Sequence, residues 1–254
     1  MGLTTGTGPF GSRPAGRLSF EPPEHVVYVE PWPRRVRAFD DGSILVDSER
    51  AVLVHETGRL PRYAFPAEDV SIEAESEPEV EGYVSVPWAA ADRWLEEDEE
   101  LIGHPHDPFH RIEALSSSRT VRVRVGGELV AESTRPRILF ETALPARYYL
   151  PQADVRMDLF EPSALTTVCA YKGRARYWDA AIAAERVPAV AWSYPEPLHE
   201  AEPVRDLVCF FQERFEIEVE VDGVVLETPE TSWSGTDWIA AALERAAATR
   251  AARV

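Results

Sequence analysis

Apolar and polar residues alternate in short runs along most of this chain, and the runs come in pairs separated by glycine-containing turns. Val36 to Phe39 and Ile44 to Val46 flank Asp40-Asp41-Gly42, while Val121 to Val125 and Leu129 to Ala131 flank Gly126-Gly127. A period of two with glycine at the turn predicts a β-hairpin in each place. Further extended runs are expected at Val52 to His55, Arg62 to Phe65, Val70 to Ile72, Arg137 to Phe140, Arg147 to Leu150 and Val155 to Leu159. Pro61, Pro66, Pro145 and Pro151 stand at strand ends, where a residue that cannot donate to a ladder is tolerated. Glu216 to Val221, Asp222-Gly223 and Val224 to Leu226 predict one more hairpin. In two stretches the period changes. Val204, Leu207, Val208 and Phe211 fall at helical spacing, so Pro203 to Arg214 predicts a helix opened by proline. Asp237 to Val254 predicts an Ala-rich amphipathic helix with Trp238, Ile239, Ala242, Leu243 and Ala246 on one face, which needs a groove to dock in.

The pattern repeats. Shifted by 85 positions, Val36 to Val70 lies on Val121 to Val155 without a gap. Gly42 recurs as Gly127, Ser48 as Ser133, Arg50 as Arg135, Glu56-Thr57 as Glu141-Thr142, Arg62-Tyr63 as Arg147-Tyr148, and Asp69-Val70 as Asp154-Val155. An ungapped match of this length makes the copies share a fold. They diverge after Asp69 and Asp154: the second copy runs on through basic and aromatic stretches, whereas the first substitutes an acidic segment and reaches an apparent counterpart of the 203–214 stretch at Trp88 to Leu95. The expected architecture is mainly β, two related antiparallel units, tent-like or sandwich-like, with a few short helices and a C-terminal helix. Its expected parts are a disordered leader over 1–20, a truncated first repeat over 21–115, a complete second repeat over 116–228, and the helical end over 229–254. Identical positions in a copy that has lost the motif strands serve the fold, so Arg62 and Arg147 are each expected to pair with a nearby carboxylate.

With 254 residues, 44% of them hydrophobic, the chain can bury a sizeable core. No apolar run is long enough to span a bilayer and no secretory leader is read, so the expected location is the cytoplasm. A net charge of −18 repels duplex nucleic acid and anionic membranes, and neither is expected as a partner. There is no Asn and a single lysine, Lys172, the other basic residues being Arg, the mark of a GC-rich coding bias. A lysine kept under that bias suits a place where a guanidinium cannot fit or act. Cys169 and Cys209 belong to no CxxC pair and are expected to be reduced and buried.

Alternation along Tyr171 to Trp178 places Lys172, Arg174, Arg176 and Trp178 on one face and Tyr171, Gly173, Ala175 and Tyr177 on the other. Such a basic face suits an anionic ligand, with Trp178 or Trp192 to stack on a planar ring; the bland alternative is pairing with acids such as Glu141, Asp154 or Asp158. The candidate ligand-binding set is Lys172, Arg174, Arg147, Tyr148, Tyr177, Trp178, Trp192 and Glu141. His104, His106 and His110, with Asp107 in the same loop, are weak candidates for metal. No cofactor is expected, since no Walker or dinucleotide glycine pattern is present. Nucleotidyl transfer would need Lys-x-Asp-Gly or Asp-x-Asp; the chain has Lys172-Gly-Arg-Ala and no Asp-x-Asp.

Glu141-Thr142, Arg147-Tyr-Tyr-x-Pro151, Asp154-Val-Arg156, Cys169-Ala-Tyr-Lys-Gly-x-Ala-x-Tyr-Trp178 and Ala191-Trp-Ser-Tyr-Pro195 together resemble the domain of unknown function 427 family, which also carries a nucleotidyltransferase heading. The resemblance spans about residues 119–227 well and 30–100 in part, the tandem form found in bacterial members. The family's usual Cys-Pro-Tyr-Lys-Gly reads Cys-Ala-Tyr-Lys-Gly here. The resemblance implies a compact fold of antiparallel sheets meeting at an angle and little about chemistry. The reading is a binding module for a small anionic or planar, nucleotide-like ligand in the second repeat, with a nucleotidyltransferase or a structural and protein-interaction module as alternatives. Oligomeric state is left open.

Overall fold

A computed structural model describes residues 17–182, 185–214, 216–234 and 237–251. The chain divides into two compact units, 1–111 and 112–254. The first contains β1 (Val27–Pro31), β2 (Val36–Asp40), β3 (Ser43–Ser48), β4 (Val52–Glu56), β5 (Arg62–Pro66), β6 (Glu75–Ser76), β7 (Tyr83–Ser85), β8 (Arg93–Glu96) and β9 (Glu99–Leu101). The second contains β10 (Ile112–Ser116), β11 (Val121–Val125), β12 (Glu128–Ser133), β13 (Arg137–Glu141), β14 (Arg147–Tyr149), β15 (Phe160–Cys169), β16 (Gly173–Ile182), β17 (Glu185–Ser193), β18 (Cys209–Phe210), β19 (Ile217–Val221), β20 (Val224–Val225) and α1 (Asp237–Ala251). The fold is mainly β, as the alternation predicts, and all ladders between these strands are antiparallel. Among the described residues no helix is long and apolar enough to cross a membrane. The leader expected over 1–20 falls mostly outside the described residues.

Within each unit the repeat is visible strand by strand. Sheet β3-β2-β8-β9 of the first corresponds to β12-β11-β19-β20 of the second, and β1-β4-β5 corresponds to β10-β13-β14. Even the irregularity recurs: the β2–β3 register shifts between Ala38 and Phe39, and the β11–β12 register between Val123 and Arg124, again 85 positions on. The glycine turns have positive φ at both central residues, +46° and +77° at Asp41-Gly42, +57° and +84° at Gly126-Gly127, the I′-type geometry that matches strand twist. A shared corner holds each unit together. Ser48 donates to Asp69 at 2.7 Å and Arg50 to the same carboxylate at 2.7 Å; Ser133 donates to Asp154 at 2.7 Å and Arg135 at 3.0 Å. Bridges Val46↔Val70 and Ala131↔Val155 lie beside them. Asp69→Ala and Asp154→Ala are therefore expected to cost the same, about 1–2 kcal/mol each, in urea melts that follow the unit concerned. Unequal losses would show that the corner serves only one copy.

The third sheet of the second unit, β15-β16-β17-β18, has no counterpart in the first, where β7 and β6 extend the sheet beyond β5 instead. Several local expectations need correction. Val155 to Leu159 is not a strand: short 3-10 turns at Gln152–Asp154 and Met157–Leu159 occupy it. Pro203 to Arg214 is not an α-helix. A 3-10 turn covers His199–Val204, and the chain then runs extended, with Leu150↔Val208 bridged and Cys209 and Phe210 paired to Trp192 and Ala191. Val208 to Arg214 is buried at every position, and a segment buried all round shows no 3.6-residue face to select a helix. Its supposed counterpart, Trp88 to Leu95, ends in β8, which sits where β19 does. The C-terminal helix does dock: Ile239 and Ala242 enter the core of the second unit and Trp238 meets Phe211 at 5.1 Å and Tyr177 at 6.1 Å. Leu243 is exposed, and the side chain of Ala246 lies outside the description.

Candidate functional site

Alternation along β13 and β14 sends Leu139, Glu141, Arg147 and Tyr149 to one side of the three-stranded sheet and Tyr148 to the other. In the four-stranded sheet, cross-strand partners Tyr177, Trp192 and Cys209 share a face. The two faces meet. Trp192 Nε1 donates to the Tyr149 hydroxyl at 3.0 Å, the Arg147 guanidinium stands 5.5 Å from the Trp192 ring, and the Tyr149 and Trp192 rings meet edge to face at 6.2 Å.

Two buried ion pairs lie between these sheets. Arg147 donates through both terminal nitrogens to Glu213, whose carboxylate also accepts from Thr231 Oγ1 at 2.8 Å. Burial pushes the Glu213 carboxyl up, yet the Arg147 hydrogen bonds and charge, helped by Thr231, outweigh it and hold the carboxyl below its ordinary value. Lys172 pairs with Glu141, with the two side chains only 10% and 5% exposed. Glu141 is the last residue of β13 and Lys172 ends the turn into β16, so the pair sits at strand ends. The Lys172 carbonyl accepts from Leu198 at 3.2 Å. The next residue must be glycine: Gly173 has φ +98°, and a Cβ there would lie 3.0 Å from the Glu196 carbonyl oxygen.

Around the pairs stand phenols and a thiol kept protonated. Burial is the main reason that Tyr149 and Tyr194 are held well above the ordinary phenol value, and Glu141 adds to it in both. Burial pushes Tyr177 up to about 12 against the opposing hydrogen bond with Thr167, and the Cys209 thiol up to about 12 against the charge of Arg147. A thiol held protonated is a poor nucleophile, so Cys209 is a core residue.

The structure thus brings together Lys172, Glu141, Arg147, Trp192 and Tyr177, and parts them from Arg174 and Trp178. Lys172 lies in the turn, so the strand alternation does not extend to it: it is buried, whereas Arg174 and Arg176 project from the outer face of β16 into solvent. Neither arginine has a carboxylate partner among the described residues. Trp178 is half-buried on that outer face, and its Nε1 lacks a hydrogen-bond partner among the described residues. Tyr148 is half-buried, with its phenol raised by burial.

Among the described residues no group of three or more His, Cys, Asp or Glu is placed to hold a metal, so His104, His106 and His110 do not assemble the set their spacing suggests. Burial lowers His104, with the neighbouring His106 and His110 adding to it, and its Nδ1 lies 2.7 Å from the Pro105 carbonyl oxygen.

Besides Tyr149 and Tyr194, sequence reasoning missed Glu213, Glu77 and His55. Glu213 lies inside the misread helix, and Glu77 in the acidic segment, where it accepts two hydrogen bonds from Arg62 at 2.9 Å and one from Ser85 at 2.6 Å. The demand of Arg62 and Arg147 for carboxylates pointed toward both. His55 is fully buried, its Nε2 2.8 Å from Glu30 and its Nδ1 3.9 Å from Asp107; the position is Phe140 in the second copy, so the repeat carries no signal for it.

Residues 28–95 and 113–223, each covering one copy, match the family described as Domain of unknown function (DUF427). The chain belongs to the DUF427 family. Its two matched segments accord with a tandem arrangement of DUF427 units. The inter-sheet site lies wholly within the second DUF427 segment. No curated protein matches the chain.

Proposed function

We propose that the second DUF427 unit is a binding module that takes a small ligand with a planar part between its three-stranded and four-stranded sheets. Lys172 and Glu141 hold the ligand's polar group at the strand ends, and Tyr149, Tyr177 and Trp192 supply walls with hydrogen-bonding tips. The observation that carries this reading is the buried Lys172–Glu141 pair, which the first unit does not repeat, in one interior with Tyr149, Tyr177 and Tyr194. A core that serves folding alone is cheaper to build from apolar side chains, because burying charge costs more than its pairing returns. The first unit, which lacks a counterpart of the β15-β16-β17-β18 sheet, has no equivalent of Lys172. Arg174 and Trp178, facing outward, are not part of the proposed site. A nucleotidyl-transfer reading gains nothing from Asp154, whose Ser133 and Arg135 partners repeat those of Asp69 and make it a structural residue.

The test is a thermal-shift screen of the full chain against nucleotides, phosphorylated metabolites, carboxylic acids and amino acids, followed by titration of any hit. Lys172→Arg and Lys172→Ala are both expected to weaken binding about tenfold or more, the worth of one charge-assisted hydrogen bond, with the far-UV spectrum unchanged. The guanidinium is too broad for the place the compact ammonium fills. A hit that binds Lys172→Ala as well as wild type, or a screen in which nothing binds, overturns the reading.

A further inference from the structure

We infer that the outer face of β16 is a docking surface for a second copy of this chain, which it meets through that copy's acidic 73–81 segment. The face lies outside the interior described above. Arg174 and Arg176 stand two residues apart on it, and their cross-strand partners on β15, Val168 and Thr166, share the face. All four side chains are exposed, Val168 at 43%, and Trp178 lies half-buried beside them. What sets these arginines apart is their lack of acids. The chain has 44 Asp and Glu against 26 Lys and Arg, and several exposed arginines elsewhere take a carboxylate, as Arg50 does from Asp69, Arg135 from Asp154 and Arg205 from Glu202. Arg174 and Arg176 take none among the described residues, in a chain where carboxylates are in excess.

The first copy carries the opposite charge at the matching place in its sequence. The copies diverge after Asp69 and Asp154, and where the second goes on to its basic strand the first has Glu73, Glu75, Glu77, Glu79 and Glu81. Glu77 is taken by Arg62 and Ser85; the other four are exposed and have no ion-pair partner among the described residues. Among the described residues β6 is the last strand of its sheet, so one of its sides offers backbone for a neighbour. Extended chain sets residues two apart at about 6.6–6.8 Å, so acids that alternate along one segment can meet arginines that alternate along another. Each chain thus holds one surplus of cations and one of acids on different units, and the contact between them is head-to-tail. Nucleic acid is the poorer fit, since two arginines release too few counter-ions to hold it against a net charge of −18. The same net charge opposes a second copy, but at physiological salt charges further apart than about 8 Å are screened, so the local match decides. Exposed ion pairs are weak one by one, which makes the contact a transient one.

The test is the mass of the full chain in solution. Sedimentation in about 0.15 M NaCl is expected to show the average mass rising above the monomer between about 1 μM and about 500 μM, the range of a weak contact, and staying at the monomer in about 1 M salt. Arg174→Glu with Arg176→Glu reverses the face, and Glu73→Arg with Glu75→Arg reverses the segment. Each double variant alone is expected to stay monomeric with an unchanged far-UV spectrum, because these side chains have no ion pair within the fold to lose. Mixed in equal amounts, the two are expected to regain the wild-type rise, since each reversed surface then meets its complement on the other chain. Such rescue separates a charge match from a mere change in net charge. A wild-type chain that is monomeric throughout, an association that survives either reversal, or a loss that mixing fails to restore overturns the inference. Capture of single-stranded DNA or anionic vesicles by a monomeric chain, lost on reversing Arg174 and Arg176, overturns it too and assigns the face to a polyanion.

Discussion

Arg147→Ala is expected to destabilise the second unit by about 3–5 kcal/mol, the cost of stranding one member of a buried ion pair. The loss follows from geometry: Glu213 is fully buried, takes both terminal nitrogens of Arg147, and without them keeps only the Thr231 hydroxyl among its side-chain partners. Replacing both partners, Arg147→Met with Glu213→Leu, is expected to cost less than Arg147→Ala alone, since no charge is then left in the interior. The effect has a direction in pH. Arg147 holds the Glu213 carboxyl below its ordinary value, so the stabilisation is complete above the unfolded carboxylate pKa of about 4.3 and is lost as pH falls through the lower folded value. Urea melts at pH 7 and pH 3 are expected to show the gap between wild type and Arg147→Ala narrowing in acid. A gap of under about 1 kcal/mol at pH 7, where salt bridges open to solvent fall, would show that Glu213 reaches water.

Gly173→Ala comes next in size, at about 2–3 kcal/mol. Two penalties combine, a φ of +98° that side-chain-bearing residues avoid and a Cβ placed 3.0 Å and 3.3 Å from the backbone at Glu196 and Leu198. Gly127→Ala separates them. Its φ is +84°, but nothing lies within 4 Å of the added Cβ, so it pays the conformational part only, about 1 kcal/mol. Denaturant midpoints for the two variants are the measurement. Equal losses would mean that the 195–198 segment moves aside without cost. Because Lys172 precedes Gly173 and its carbonyl holds Leu198, the same substitution is expected to disturb ligand binding, which Gly127→Ala leaves intact.

What could be read from the sequence was whatever depends on spacing. The 85-residue shift foretells matching strands, and the structure returns them with the register irregularity and the Ser-Arg-Asp corner in place. The pairing of both Arg62 and Arg147 with carboxylates was legible for the same reason. The lost details turn on what surrounds a segment. Val204 to Phe211 has helical spacing by coincidence: Arg205 and Asp206 are exposed at a turn, and Val208 to Phe211, buried at every position, puts apolar residues at every spacing. Lys172 follows the parity of Arg174 and Arg176 in the sequence but not in space, since strand parity holds only from Gly173 onward. Of the candidate site, Lys172, Glu141, Arg147, Tyr177 and Trp192 were found by residue type, while Glu213, Tyr149 and Tyr194 become visible only when two sheets face each other.

Equivalent arginines in the two units reach their carboxylates over very different lengths of chain. Arg62 meets Glu77 15 residues away, and Arg147 meets Glu213 66 residues away. Closing the longer loop costs about 1.3 kcal/mol more in chain entropy, and it waits until the whole four-stranded sheet has been made. As the chain is synthesised from its N-terminus, the first unit can therefore complete its ion pair soon after Glu77 emerges, whereas the second exposes an unpaired Arg147 until residue 213 leaves the ribosome. The abbreviated copy is the one that can finish early, and losing strands shortened its path to a closed fold.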